Sequence, residues 1–434
     1  MYNFSAFTNA ERENILKEIG VDSFEELFSH IPAKARFEID LPDGISEMEA
    51  QRELKTLASK NNISLANFIG GGSYNHFIPA AIGTISSRFE FITAYTPYQP
   101  EISQGTLQMI YEFQSMICSL TGMDVANASV YDGATACAEA VLMAARAKRK
   151  NKILLSEGIN PEYKSVIETY CYGVDVQIDY LPLIDFKTQL EGISSDYACV
   201  LLAMPNYYGT IEDIEKCGEL AKQAGAMFIV CADLLSLSKI KPPSEFGADI
   251  VVGDFQVLGI PMAYGGPYGG YMATKTAHMR QMPGRIVGAS IDKEGKRAFT
   301  LTMQAREQHI KRERATSNIC TNQGLMTLCA TVYMSLMGQN GMSKAFLMSI
   351  QNAKKLASKL CQIEGFELCN SEFMFEFVMK TPTNSAVFLE KMQEKGILAG
   401  IKVDEDKILV CTTEMNSEAE IESYIKTAGE IACE

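Results

Sequence analysis

Ala226-Met-Phe-Ile-Val-Cys-Ala-Asp233 is an unbroken apolar run that ends in a carboxylate. A short run of this kind, apolar on both faces and closed by an acid, predicts a buried parallel strand. Asp233 then falls at the strand's carboxyl end, which is the edge where open α/β sheets bind their ligands. The next apolar run is Ala248-Asp-Ile-Val-Val-Gly253, and Asp254-Phe255-Gln256-Val257 follows it.

In sheets of the aminotransferase type, an Asp at that edge pairs with the ring nitrogen of pyridoxal phosphate (PLP). A lysine at the exit of the next strand holds the aldehyde. Here that exit carries Gln256, whose amide cannot form an imine. Lys239 and Lys241 fall too early, beside Pro242 and Pro243, and Lys275 falls one strand too late. Fold and catalysis therefore have to be argued separately.

The pattern recurs along the chain. Ile153–Ser156, Val174–Tyr180, Cys199–Met204, Ala226–Val230, Asp249–Gly253 and Gly270–Thr274 alternate with helical stretches. This predicts a mainly parallel sheet covered on both faces. Between the first of these runs and the N-terminus, Leu107, Ile110, Phe113, Ile117 and Leu120 recur at helical spacing and Gly122 closes the segment, an amphipathic helix. Tyr131-Asp-Gly-Ala-Thr135 leads into the alanine-rich run Ala136–Ala147. Its amides face outward as a phosphate site requires, but Asp132 would repel a dianion and reads as a helix cap.

Thr8 with Glu11 and Ser46 with Glu49 match the capping box, and Gly20 fits the first helix's stop. These residues predict a helical arm over 1–65, either embracing a partner or lying as a lid on its own core. A large PLP-transferase-like domain is expected over 66–320. Residues 321–434 are expected to form a linking helix and a small α/β domain, with the run Phe373–Val378, a helix Ser385–Lys395, a strand Lys407–Cys411 and a helix starting near Ser417.

Between Phe91 and Gly105, Pro97 and Pro100 prevent regular structure and place Tyr95, Tyr98, Gln99 and Gln104 side by side. The segment reads either as a recognition surface or as an ordered loop with its tyrosines turned inward. Met262–Gly270 lacks side chains at four positions, which permits close approach of a ligand or simply a hairpin-like bend. Arg306–Arg314 mixes both charge signs and predicts a solvated helix face.

The 434 residues carry a net charge of −14, which argues against nucleic acid and anionic membranes as partners. No apolar stretch nears the roughly 20 residues of a membrane span. The N-terminus has no basic segment followed by an apolar one, so a cytoplasmic protein is expected. Twelve cysteines scattered singly predict buried thiols, and no Cys or His pair has metal-ligand spacing.

Tyr95-Thr-Pro-Tyr-Gln-Pro-Glu-Ile-Ser-Gln-Gly105, Tyr131–Thr135, Met282-Pro-Gly-Arg285, Arg306-Glu-Gln-His-Ile310 and Thr316-Ser-Asn-Ile-Cys-Thr-Asn322 together resemble the glycine dehydrogenase (decarboxylating) family, the P-protein of the glycine cleavage system. The match is to subunit 1 of its two-subunit form, in which the second subunit carries the lysine. The resemblance implies fold type I, with PLP bound covalently by P-protein subunit 2, two of each chain, glycine as substrate, and delivery of an aminomethyl group to the lipoyl arm of H-protein. By the same resemblance Tyr95, Thr96, Tyr98 and Gln99 are candidates for a shared active-site wall. A scaffold subunit with no side chain in the pocket, and a self-sufficient enzyme using an unexpected lysine, are the other readings of the sequence.

Overall fold

The computed structural model describes residues 6–37, 40–63 and 65–433. The chain divides into two compact units, Met1–Ser64 and Leu65–Glu434.

In the first unit, α1 (Asn9–Ile19) and α2 (Glu47–Ala58) each open with the capping box anticipated from the sequence, and Gly20 ends α1 in the left-handed conformation. Each box satisfies two otherwise orphaned amide donors.

The second unit is built on a seven-stranded sheet. Its strands in chain order are β1 (Val125–Ala126), β2 (Lys152–Ser156), β3 (Gln177–Leu181), β4 (Cys199–Met204), β5 (Met227–Ala232), β6 (Ile250–Asp254) and β7 (Gly270–Thr274). They lie in the order β1-β7-β6-β5-β4-β2-β3. Pairing is parallel from β3 through β6, while β7 runs antiparallel to both β6 and β1. Every residue of β4 is buried. Val200, Leu202 and Met204 face one core with Phe228, Val230 and Val251, while Cys199, Leu201 and Ala203 face another with Met227, Ile229 and Val252. This partition at period two is why the strands read as continuous apolar runs.

The first face is covered by α3 (Gln104–Thr121) and by α4 (Gly324–Leu360), a long helix broken at Gly338. Against the other face lies the helix Gly133–Lys148, whose residues 133–145 are all buried. Its alanines let it approach β6 and β7 closely on one side and the helix Pro161–Tyr172 on the other. No helix among the described residues is long and apolar enough to cross a membrane.

A second, antiparallel sheet is made of β8 (Glu367–Leu368), β9 (Glu376–Lys380), β10 (Ile401–Lys402) and β11 (Lys407–Cys411), in the order β8-β9-β11-β10. Helices Ser385–Glu394 and Glu418–Ala432 accompany it, the latter opened by a capping box at Ser417. Phe68 joins their core from the start of this unit.

Two expectations need correction. All twelve cysteines are free, but Cys320, Cys361 and Cys433 are exposed; Cys361 and Cys433 sit at helix C-termini and Cys320 in a loop, outside the apolar faces. The stretch Arg306–Arg314 holds no continuous helix, only one α-helical turn, Gln308–Lys311, and one 3-10 turn, Arg312–Arg314. Its first two residues are turned inward, and only its latter part is solvated.

Candidate functional site

Two constellations carry the chemistry. The first lies at the carboxyl ends of β5 and β6, where Asp233 and Gln256 emerge as the strand runs predicted. Gln256 is 2% exposed. Its Nε2 donates to the carbonyls of Tyr74 (2.9 Å) and Ile260 (2.7 Å), and its Oε1 accepts from the Tyr74 amide (3.0 Å). Both amide hydrogens and the carbonyl are thus committed to backbone, which makes this side chain a latch between two segments. The Asp233 carboxylate accepts from the Ser236 amide at 2.7 Å, closing its own turn.

At the start of the helix Gly133–Lys148 the amides that a phosphate would use are already taken. Asp132 accepts from Thr135 N at 2.7 Å, and Asp254 accepts from Gly133 N and from Gln256 N. Asp254 is pushed up to about 7, chiefly by burial. Across the cleft Glu376 is also pushed up to about 7 by burial, while it accepts from Gly71 N and the Tyr74 hydroxyl, both at 2.7 Å. The space lined by Tyr74, Asp233, Asp254 and Gln256 is about 90 Å³, well below the roughly 300 Å³ at which small-molecule sites begin. Two carboxylates take the helix amides that a phosphate dianion would use, and a glutamine stands at the exit of β6, where the sequence reading expects an amine. The cleft does not fit PLP.

The second constellation was only half visible in sequence. Arg285, 3% exposed, spreads its guanidinium over residues from distant segments. One terminal nitrogen donates to Thr321 Oγ1 (3.2 Å) and Asn322 Oδ1 (3.1 Å). The other donates to the Tyr98 hydroxyl (3.1 Å) and the Cys320 carbonyl (2.7 Å). Its Nε faces the buried Glu307 carboxylate at 3.9 Å. Arg306 holds the carbonyls of Met282 and Gly284, Cys320 N donates to the Tyr131 hydroxyl, and Asn322 Nδ2 donates to the Ala128 carbonyl. Segments scattered from residue 95 to residue 322 therefore meet in one knot. Glu307 is buried and Arg306 half-buried here because they serve it, which is why the expected solvated face fails at these positions.

Beside the knot is a cavity of about 230 Å³ with an apolar floor that includes Met109, Ile110 and Leu328, and a polar mouth formed by Tyr95, Thr96, Thr321 and Asn322. Tyr95 is 88% exposed, whereas Tyr98 is 44% exposed with its ring 5.4 Å from the Arg285 guanidinium. Gln99 is exposed and does not line the cavity. Gln104 leaves the row of exposed polar groups expected for it. It opens α3, and its amide brackets Phe299 N and O at 2.8 and 2.9 Å. Arg285, Glu307, Thr321 and Asn322 were not singled out from the sequence, although they lie inside the motifs quoted for the resemblance. The Gly-rich stretch Met262–Gly270 is the bend that returns β6 to β7. Among the described residues no cluster of three or more His, Cys, Asp or Glu could hold a metal ion.

A mainly parallel sheet with one antiparallel strand, a carboxylate at the end of β5 and a small antiparallel lobe define the class: fold type I, the aminotransferase-like fold of PLP-dependent enzymes. At the level of fold alone, the chain superposes on a sphingosine-1-phosphate lyase from Burkholderia pseudomallei with a TM-score of 0.68 and 14% identity, over 92% of this chain and 94% of that one. The profile of the family "Glycine cleavage system P-protein" matches residues 4–428, and the chain belongs to that family. It is 44% identical to "Probable glycine dehydrogenase (decarboxylating) subunit 1" of Chloroherpeton thalassium, over 98% of each chain. The same-named protein of Chlorobaculum parvum is 45% identical over 97% of this chain and 98% of its own length. A crystal structure of glycine decarboxylase (P-protein) of the glycine cleavage system, in inhibitor-bound form, superposes with a TM-score of 0.94 at 39% identity, covering 99% of this chain and 100% of that one.

Proposed function

We propose that this chain is subunit 1 of a two-chain glycine dehydrogenase (decarboxylating), a half-enzyme that works only with a second, lysine-bearing subunit. Together they decarboxylate glycine, release carbon dioxide and pass the aminomethyl group to the lipoyl arm of H-protein. PLP, the electron sink of that chemistry, is held by the partner. The single observation carrying this reading is Gln256, which occupies the lysine position and is fully hydrogen-bonded there. The acidic surroundings of Asp132 and Asp254 argue equally against a self-sufficient enzyme.

In this reading the chain's contribution is the wall formed by Tyr95, Thr96, Tyr98 and Gln99. Uncharged hydroxyls and an amide orient a carboxylate by hydrogen bonds without neutralising it. Once a partner covers it, a neutral wall also favours loss of the carboxylate as carbon dioxide, because charge is then removed from a poorly solvating site. Residues 1–65 serve as an arm, 66–320 as the large domain and 321–434 as the linking helix and small domain, in an assembly of two copies of each subunit. Twelve unpaired cysteines suit a reducing compartment, the cytoplasm.

Exchange of labelled carbon dioxide into glycine tests the proposal. The chain alone should be inactive, and addition of the lysine-bearing subunit should restore exchange. Tyr95→Phe and Tyr98→Phe should each lower kcat/KM of the reconstituted pair about tenfold or more. Full exchange by both variants would remove the loop from the active site and leave the scaffold reading.

A further inference from the structure

We propose that Arg285 is a positioning residue which, backed by Glu307, turns the Tyr98 hydroxyl into an outward-facing hydrogen-bond donor for a carboxylate. The inference rests on the reading of the Tyr95–Gln99 loop as active-site wall and adds the group that sets that wall. A guanidinium has five N–H donors in a fixed plane. Four of the Arg285 donors reach four separate acceptors, Tyr98 Oη, the Cys320 carbonyl, Thr321 Oγ1 and Asn322 Oδ1. The fifth points toward Glu307, whose carboxylate lies too far for a hydrogen bond but close enough to compensate a charge that is almost wholly shielded from water.

The direction of the Tyr98 bond decides the consequence. A phenol oxygen that accepts from an arginine keeps its own proton to give elsewhere. Tyr98 is also held over the guanidinium by its ring, yet remains nearly half exposed. Two of the other acceptors, Thr321 and Asn322, line the same cavity as Tyr95 and Thr96. One buried cation therefore fixes Thr321 and Asn322 at the cavity mouth and, through Tyr98, the residue that follows the cavity-lining Pro97. Lysine has three donors on a flexible stem and no plane, so it cannot hold all four acceptors at once.

The experiment is steady-state glycine exchange by the reconstituted two-subunit enzyme carrying Arg285→Lys, Tyr98→Phe or both, with assembly followed by co-purification. Arg285→Lys should assemble normally and raise KM for glycine about tenfold with kcat changed less than about threefold, because a ground-state contact to the carboxylate is lost. The double variant should be no worse than the more severe single one, since both changes remove the same contact. Unchanged KM in Arg285→Lys, a loss confined to kcat, or losses that multiply would overturn the inference. An intact Tyr98→Phe enzyme would overturn the wall reading along with it, whereas an impaired Tyr98→Phe beside an intact Arg285→Lys would overturn the inference alone. Should Arg285→Lys fail to assemble, Glu307→Gln decides. It is expected to raise KM about threefold, and not on top of Tyr98→Phe; an unchanged KM in that variant would overturn the inference.

Discussion

Gln256 behaves as a piece of backbone rather than as a vacant catalytic position. Its amide replaces two carbonyl–amide contacts between the segment at Tyr74 and the turn after β6. Restoring a lysine there would bury an ammonium against carbonyls already suited to an amide, and would leave Asp132 and Asp254 on the helix amides. Gln256→Lys incubated with PLP and borohydride should therefore carry less than about a tenth of the pyridoxyl label found on the partner subunit, read by intact mass. Stoichiometric labelling would contradict the account of the cleft.

Asp254 supplies a pH-dependent test. Its folded pKa is raised to about 7, against roughly 4 in an unfolded chain. Between these values the native state binds more protons than the unfolded one, so this residue's contribution to stability falls as pH rises from about 4 to about 7 and stays low above that. Asp254→Asn cannot ionise. Relative to wild type it should gain roughly 1–4 kcal/mol across that window, measured by urea denaturation of the chain at several pH values. A difference that is flat with pH would show Asp254 to be an ordinary carboxylate. At this scale the absence of an amine was legible from residue type alone. The Arg285 knot was not, because Tyr98 and Arg285 are 187 positions apart and their bond has no local signature.

The helices and strands owe their legibility to local causes. Capping boxes at Thr8 and Ser46, the helix start near Ser417 and the left-handed stops at Gly20 and Gly122 are set by neighbouring residues, and each appears where the sequence places it. Asp132 caps its helix for the same reason. The segment Arg306–Arg314 misleads because its charge pattern records only composition, whereas the inward turn of the half-buried Arg306 and the buried Glu307 is decided by carbonyls and side chains that other segments bring to it.

Close packing also reverses a propensity rule. In the helix Ile214–Ala224, a Cβ on Gly218 would meet the Phe246 carbonyl oxygen at 1.9 Å. Alanine improves helix propensity by about 1 kcal/mol, but displacing backbone in a packed interface costs about 1–3 kcal/mol. Gly218→Ala should therefore lower Tm by about 1–3 °C in a thermal scan, and a raised Tm would show that the interface yields freely.

Across the whole molecule, the alternation of apolar runs announced a parallel sheet, but not its strand order or the reversal at β7, since pairing is chosen by long-range packing. The same holds for function. The absence of a lysine at the exit of β6 is readable from residue type, while the proposed wall and its Arg285 support become visible only when residues 95–98, 285, 307 and 320–322 come together. In the proposed function, a chain with a narrow, acid-lined cleft and a cavity elsewhere completes another subunit's site.

The most direct measurement is borohydride trapping of PLP followed by mass analysis of each chain, in the isolated subunits and in the active mixture, alongside glycine exchange. The account predicts label on the lysine-bearing subunit alone, and exchange in the mixture but not with this chain by itself. A pyridoxyl adduct on any side chain of this subunit, together with turnover of glycine in isolation, would contradict it.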